Sequence, residues 1–431
     1  MIDTGIINMF YFYSIKSKAA VERNRVILKG VKVDPDTLRE AVKKAVKRNY
    51  YFGLTPVLDE NGCVFFEENT MPVEVYPDDD TYVALGTPES NGYLFRTLYT
   101  ENSIGVSHFH AITDGRGGIA FLVSVLYYYL KMTGHEIDPA GILCEDTPVD
   151  NTERDILTDQ IPDDTDIGEF RIPGDVFVIP EENIFNKTPT TKRIDICFPV
   201  KELIDATKSY SATPVPFVSI LAAKALDRVY DIGDNAIVSS VLVDMHDIQK
   251  SHALSNYCCN VYLPVYTDVR KADMHAAIDD QKQWMERVNT RENLFGKLVS
   301  LKKMEPIIRK TPLNDPKYLK AAMKGDEKVG KARATYFLTN VGKIRFPEAM
   351  SAFIDHCDFY SMNTGSNPIL SLMSVGDVGH IYITQNYESM AFADMLCQVL
   401  NENEVHAEIA DTVVVQADCV KPAEFAGRGM R

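Results

Sequence analysis

The sequence predicts a mixed α/β protein built as two lobes, and three observations carry that expectation. Its 431 residues exceed what one ordinary core organises and suit two domains of roughly 200 residues each. Strand-like and helix-like patterns interleave along the chain, as α/β proteins require. Between two such series, residues 136–182 hold 15 acids, two bases and five prolines with little periodicity, which reads as a linker or crossover. The expected division is an N-terminal lobe over 1–135, an acidic connection over 136–188 and a C-terminal lobe over 189–431.

The elements follow in order. NRVILKGVKV carries β-branched residues in alternation and predicts a strand. DPDTLREAVKKAVKR opens with Asp34 as a cap and Pro35 at the first helical position. Its Leu38, Ala41, Val42, Ala45 and Val46 share one face, so an amphipathic helix is expected. YLFRTLYT and IGVSHFHA, parted by Glu101, Asn102 and Ser103, predict a hairpin. GIAFLVSVLYYYLKMTG is apolar almost all round and stops at Gly134, predicting a buried helix. Beyond the acidic connection, TKRIDICFPV and KELIDATKSY repeat the strand-then-helix order. PFVSILAAKALDRVY predicts another buried helix, NAIVSSVLVDM a buried strand and KADMHAAIDDQKQWMERVN a helix.

Charge and composition narrow the function classes. A formal charge of -16 opposes whole-surface attraction to nucleic acid or anionic lipid, so neither is an expected partner. The eight cysteines are scattered without C-x-x-C spacing, as in the reduced thiols of a cytoplasmic protein. MIDTGIINMFYFYS lacks the basic start of a signal peptide, and the longest nearly apolar run, of 13 residues, falls short of the ~20 that span a membrane. A monomeric protein without a membrane span is expected. Against the acidic background, Lys297 to Arg345 holds 13 bases and four acids. Such a run is either a solvated helix face or a local docking surface for phosphates.

Chemistry concentrates in SHFHAITDGRGG, residues 107–118. If Ser107 to His110 ends a strand and Asp114 to Gly118 turns into the next helix, His110 and Asp114 flank a tight corner. Asp114 can cap the helix, Gly115 can adopt a positive φ, and Gly117 and Gly118 permit close packing. An imidazole at such a corner can take a proton from a hydroxyl or amine near neutral pH. The plainer alternative is a strand-end histidine satisfied by backbone beside an ordinary capping aspartate. A metal reading would combine His108, His110 and Asp114 with Asp244 and His246 of VDMHD, but the other histidines are scattered and no metal site is expected. GDEKVGKA at 325–332 has the G-x-x-x-x-G-K spacing, yet Ala332 replaces the hydroxyl residue that would bind Mg²⁺. Trp284 and the Cys258-Cys259 pair read as core.

The H-A-I-T-D-G stretch at His110 to Gly115 resembles the H-x-x-x-D-G signature of the chloramphenicol acetyltransferase-like acyltransferases, among them alcohol acetyltransferases, polyketide-associated acyltransferases and peptide-synthetase condensation domains. Three further stretches are similar in the same order. VKRNYYFGL around Arg48 resembles "R-H-P-x-L", SNYCCNVYLPV at 255–265 resembles "G-N-x-x-N-x-x-P-L", and TNVGK at 339–343 resembles "S-N-x-G". The resemblance covers most of the chain, with only the first motif specific.

It implies two acetyltransferase-like α+β sandwiches forming a pseudo-dimer with a channel between them. An acyl-CoA or acyl carrier protein would enter from one side and a small alcohol or amine from the other. His110 would be the general base for direct attack on the thioester. Asp114 would pair with an arginine to hold the corner, and Gly115 would give that corner its freedom. Acyl-CoA would be a co-substrate, with no permanently bound cofactor, and the basic run, read as a phosphate-docking surface, offers Lys302 and Lys303 for its phosphates. Phe109 stands where many members have a first histidine, with His108 one residue too early, and His246 stands where an arginine is common, leaving Arg48 as the substitute partner of Asp114. With the D-F-G-W-G motif of the plant enzymes absent, these departures point to a bacterial-type alcohol acetyltransferase. The alternatives are a condensation-like enzyme using carrier-bound donors and a non-catalytic binding relative.

Overall fold

A computed structural model describes residues 21–79, 81–148, 174–181, 190–246, 253–313, 334–362, 367–416, 418–420 and 425. Most of the acidic connection and the G-x-x-x-x-G-K stretch lie outside the described residues.

The first series runs β1 (Val21–Leu28), α1 (Pro35–Arg48), β2 (Leu54–Leu58), β3 (Val64–Glu68), β4 (Val75–Pro77), β5 (Ala84–Leu85), β6 (Phe95–Tyr99), β7 (Ser103–Phe109) and α2 (Gly115–Met132). Asp34 caps α1 by accepting from the Thr37 N–H at 2.8 Å, and Pro35 occupies a position whose N–H would have no helical partner. The apolar stripe of α1 buries Leu38, Ala41, Val42 and Ala45 against α2. Since α2 is buried on nearly every side, Phe121 can stack on Phe52 from the loop after α1, with ring centroids 3.7 Å apart. Gly134, at φ 91°, supplies the left-handed residue that ends α2.

The second series runs β8 (Thr190–Pro199), α3 (Val200–Ser209), α4 (Pro214–Val229), β9 (Ile237–Asp244), β10 (Cys258–Val265), α5 (Thr267–Lys271), α6 (Met274–Val288), α7 (Arg291–Ile308), β11 (Tyr336–Lys343), α8 (Glu348–Ser351), β12 (Ile354–Ser361), β13 (Ile369–Val375), β14 (Val378–Gln385), α9 (Ala391–Glu402), β15 (Glu408–Gln416) and β16 (Cys419–Val420). Seven of its strands form one sheet in the order β10-β9-β11-β13-β14-β8-β15. β11 lies parallel to both its neighbours, while the other pairs are antiparallel. The expected mixed α/β architecture is thus present. Trp284 packs as core, its indole N–H donating to the Tyr262 carbonyl at 2.8 Å.

The five-stranded sheet has the order β12-β1-β7-β6-β4, so β12, from the part expected to form the C-terminal lobe, pairs antiparallel with β1 of the N-terminal part. Buried Asp358 on β12 explains the grip. It accepts from Arg25 Nε of β1 and from Tyr382 Oη of β14, each at 2.8 Å, contacts His356 at 2.8 Å and lies 3.5 Å from Arg193 of β8. Burial opposes its charge, but the His356 hydrogen bond and the two guanidinium groups outweigh that and hold the carboxyl far below the usual range. A carboxyl with a lowered folded-state pKa adds stability above its unfolded value, and the contribution is lost as pH falls. Urea unfolding of the parent should therefore show stability declining below about pH 4, with a shallower decline in Asp358→Asn.

The last described residues return to the first series. β16 pairs parallel with β5, and Phe425 would touch any Cβ placed on Gly86. Asp418 forms an ion pair with Arg96 at 2.8 Å and accepts from Ser107 Oγ at 2.6 Å.

Candidate active site

His108 lies on β7, and His110, the residue after its end, keeps the alternation that puts both rings on one face. The β1–β7 register sets Glu22 opposite His108, which brings its carboxylate to both rings. Glu22 Oε1 lies 3.2 Å from His110 Nε2, and Oε2 lies 3.4 Å from His108 Nε2. The Glu22 and His108 side chains are 5% and 0% exposed, whereas that of His110 keeps 14% and lines a pocket. Burial alone would raise the Glu22 carboxyl, but the facing His110 and His108 outweigh it and hold the group below its ordinary value.

The corner between β7 and α2 is clamped from the second series. Asn256 Nδ2 donates to the His110 carbonyl at 3.0 Å and lies 2.8 Å from its Nδ1, and the Thr113 carbonyl is 3.0 Å from the same nitrogen. Thr113 Oγ donates to the Leu254 carbonyl. Asp114 caps α2, its Oδ1 accepting from the Arg116 and Gly117 N–H groups at 3.1 and 3.3 Å. Its Oδ2 accepts from the Tyr257 N–H at 3.2 Å, so one carboxylate joins helix start to the opposing loop.

The chargeable partner of Asp114 is not Arg48, which donates to the Pro148 carbonyl at 3.4 Å. It is His246, whose Nδ1 lies 3.9 Å from Asp114 and also contacts Asp244. Burial disfavours charge on this ring, but the hydrogen bond to Asp244 and the nearby Asp114 outweigh it, so the His246 pKa is raised. A chargeable imidazole thus stands where the arginine of the resemblance was expected.

The glycines act through space rather than through φ. Gly115 is helical and not among the positive-φ residues, contrary to the expected left-handed corner. A Cβ on it would lie 2.9 Å from the Phe359 ring, and one on Gly118 would lie 2.4 Å from His108 Cε1. On Gly117 it would sit 2.8 Å from the Leu254 carbonyl oxygen.

A cavity of about 380 Å³ opens above His110. Glu22, Asp114, Ile119 and Arg116 line it from the first series, and Leu242, Asp244, Cys258, Lys343, Arg345 and Phe359 from the second. Lys302 and Lys303, on α7, are not among its lining residues; the basic run contributes Lys343 and Arg345 at its far end instead. Among the described residues, no three His, Cys, Asp or Glu side chains are arranged to hold a metal ion, and no helix is long and apolar enough to cross a membrane. A partly exposed imidazole with a buried carboxylate at one nitrogen can move a proton, and cations nearby can hold an anionic ligand. Glu22 carries no motif and precedes the strand read from NRVILKGVKV, whereas Asn256 falls within SNYCCNVYLPV, a stretch quoted for the resemblance without being singled out as a site residue.

No protein-family profile and no curated protein matches the chain. Solved structures do. The starter condensation domain of rhizomide synthetase, in complex with C8-CoA and Leu-SNAC, is 11% identical with a TM-score of 0.62 over 94% of this chain and 93% of its own. The epimerization domain from the third module of tyrocidine synthetase B is 12% identical with a TM-score of 0.58 over 93% and 96%. Polyketide synthase associated protein 5 from Mycobacterium tuberculosis is 12% identical with a TM-score of 0.55 over 90% and 96%. The chain therefore has the chloramphenicol acetyltransferase-like α/β fold of condensation domains and polyketide-synthase-associated proteins.

Proposed function

We propose that the protein transfers an acyl group from a thioester donor to an alcohol or amine, with His110 as the general base. The observation that carries this reading is His110 Nε2, in the pocket lining and backed by the Glu22 carboxylate. The acceptor's O–H or N–H gives its proton to Nε2 while oxygen or nitrogen bonds to the thioester carbonyl carbon. Collapse of the tetrahedral intermediate breaks the C–S bond, and the thiolate leaves with the proton from the imidazolium. Direct attack fits the surroundings of Cys258, a thiol in the pocket lining: burial and the Asp114 and Asp244 carboxylates push its pKa well up, which disfavours a thiolate nucleophile. Asp114, Gly115 and His246 hold the corner.

Acyl-CoA is the favoured donor because Lys343 and Arg345 line the pocket, while Arg116 there is already paired with Asp244 at 3.5 Å. The similar rhizomide synthetase domain in complex with C8-CoA supports the same choice. Free-thiol release from acetyl-CoA and longer acyl-CoAs, with a panel of alcohols and amines, tests the function; no release with any pair would overturn it. Replacing Lys343 and Arg345 together by alanine is expected to raise KM for acyl-CoA by roughly fivefold per charge at low salt, and by less at high salt. An S-acyl-N-acetylcysteamine donor, which lacks phosphates, should show no such change. The second reading, carrier-bound donors, is favoured by the likeness to synthetase domains. Faster turnover of the same acyl group on a carrier protein than on CoA would select it.

A further inference from the structure

Glu22 is a buried carboxylate whose ion-pair partners among the described residues are two histidines, with no lysine or arginine. A carboxylate removed from water is costly unless neighbouring charge and hydrogen bonds offset it. Ser361 Oγ, donating to Oε1 at 3.5 Å, offers little. The nearer of the two imidazoles is that of His110, whose Nε2 lies 3.2 Å from Oε1 and whose ring becomes positive when it takes the acceptor's proton.

His108 supplies the other half of the arrangement. It is fully buried, pairs opposite Glu22 in the strand register, and has room for its ring because Gly118 lacks a Cβ. Its Nε2 approaches Oε2, the oxygen not facing His110, at 3.4 Å. Phe52 flanks the same ring edge-on, with centroids 5.9 Å apart, which fixes its plane. An imidazole thus stands beside each carboxylate oxygen, with Oε1 on the side of the pocket histidine.

We propose that Glu22 is a positioning residue for acyl transfer, stabilising the His110 imidazolium that forms in the transition state, and that His108 orients Glu22. This rests on the general-base reading of His110. A negative charge beside the nitrogen that gains the proton makes it a stronger base, and the effect is large because water is excluded there. Attack and leaving-group protonation use the same Nε2 proton, so the carboxylate acts in both halves of the reaction without itself being consumed.

The test compares parent, Glu22→Gln, Glu22→Ala and His108→Gln in the free-thiol assay, with thermal midpoints measured alongside. Glu22→Gln keeps shape and removes charge, so kcat is expected to fall roughly 10- to 100-fold with little change in KM for acyl-CoA. His108→Gln should lower kcat less. Formate should restore part of the activity of Glu22→Ala by entering through the pocket that Glu22 lines, a rescue that a purely structural role would not show. A folded Glu22→Gln variant with the parent's kcat would overturn the proposal, as would absence of formate rescue. Should Glu22→Gln fail to fold, Glu22→Ala with and without formate decides. Should the parent release no thiol at all, the acyl-transfer reading fails separately. In that case ¹⁵N-histidine NMR still reads the contact, because Glu22→Gln must move the His110 Nε2 resonance, and an unmoved resonance would overturn the pairing itself.

Discussion

Replacing His110 with alanine is expected to cut thioester turnover about 10²- to 10⁴-fold, the range lost when a positioned general base is removed. The substitution leaves the corner's other ties in place. The His110 carbonyl still accepts from Asn256, Asp114 still caps α2 and accepts from Tyr257, and Thr113 still reaches the Leu254 carbonyl. What is lost is the imidazole that lines the pocket while facing Glu22. His110→Ala does leave the Glu22 carboxylate facing His108 alone, so His110→Gln serves as a second variant with a polar group near Nε2. Free-thiol release at saturating acyl-CoA, with the thermal midpoint as a folding control, is the measurement. Parent-like kcat in either folded variant would remove His110 from the chemistry.

The largest expected stability effect lies elsewhere, at Asp418. Replacing it with alanine should lower the free energy of unfolding by about 3–5 kcal/mol, because it leaves the Arg96 guanidinium buried without its counter-charge. Both side chains of this pair are 3% exposed, so water cannot take the place of the carboxylate. Ser107 would lose its acceptor as well, next to His108 near the end of β7. The penalty also acts on topology. Asp418 immediately precedes β16, whose pairing with β5 joins the end of the chain to the first series. Urea unfolding with linear extrapolation measures the change. Removal of the exposed Lys201–Asp205 pair on α3 is the control and should change little. Equal stability in Asp418→Ala and parent would mean that this return of the chain contributes nothing to the fold.

Short-range features were legible in the sequence because their causes are short-range. A cap, a proline and a 3.6-residue stripe specify α1 within one window, and a glycine-stopped apolar run specifies α2. The strand, corner and helix around His110 follow from the same local reading, including the capping role of Asp114. The left-handed Gly115 was a misreading of the same stretch, since a glycine needed for space and one needed for positive φ look identical in a sequence.

What the tertiary structure alone decided is every relation between distant segments. Strand periodicity told that the residues from Asn24 onward could be extended, but not that Arg25 would meet Asp358 across 333 residues of chain. The partner of Asp114 became His246 rather than Arg48, and the residues of the basic run that line the pocket became Lys343 and Arg345 rather than Lys302 and Lys303. Glu22 reached His110 only because β1 pairs with β7 in a register that sets it opposite His108. Side-chain alternation and helical period are properties of a few consecutive residues, whereas register and pairing are selected by burial summed over the whole chain. His110 and its corner were therefore written locally, and the charges that surround them were assembled by the fold.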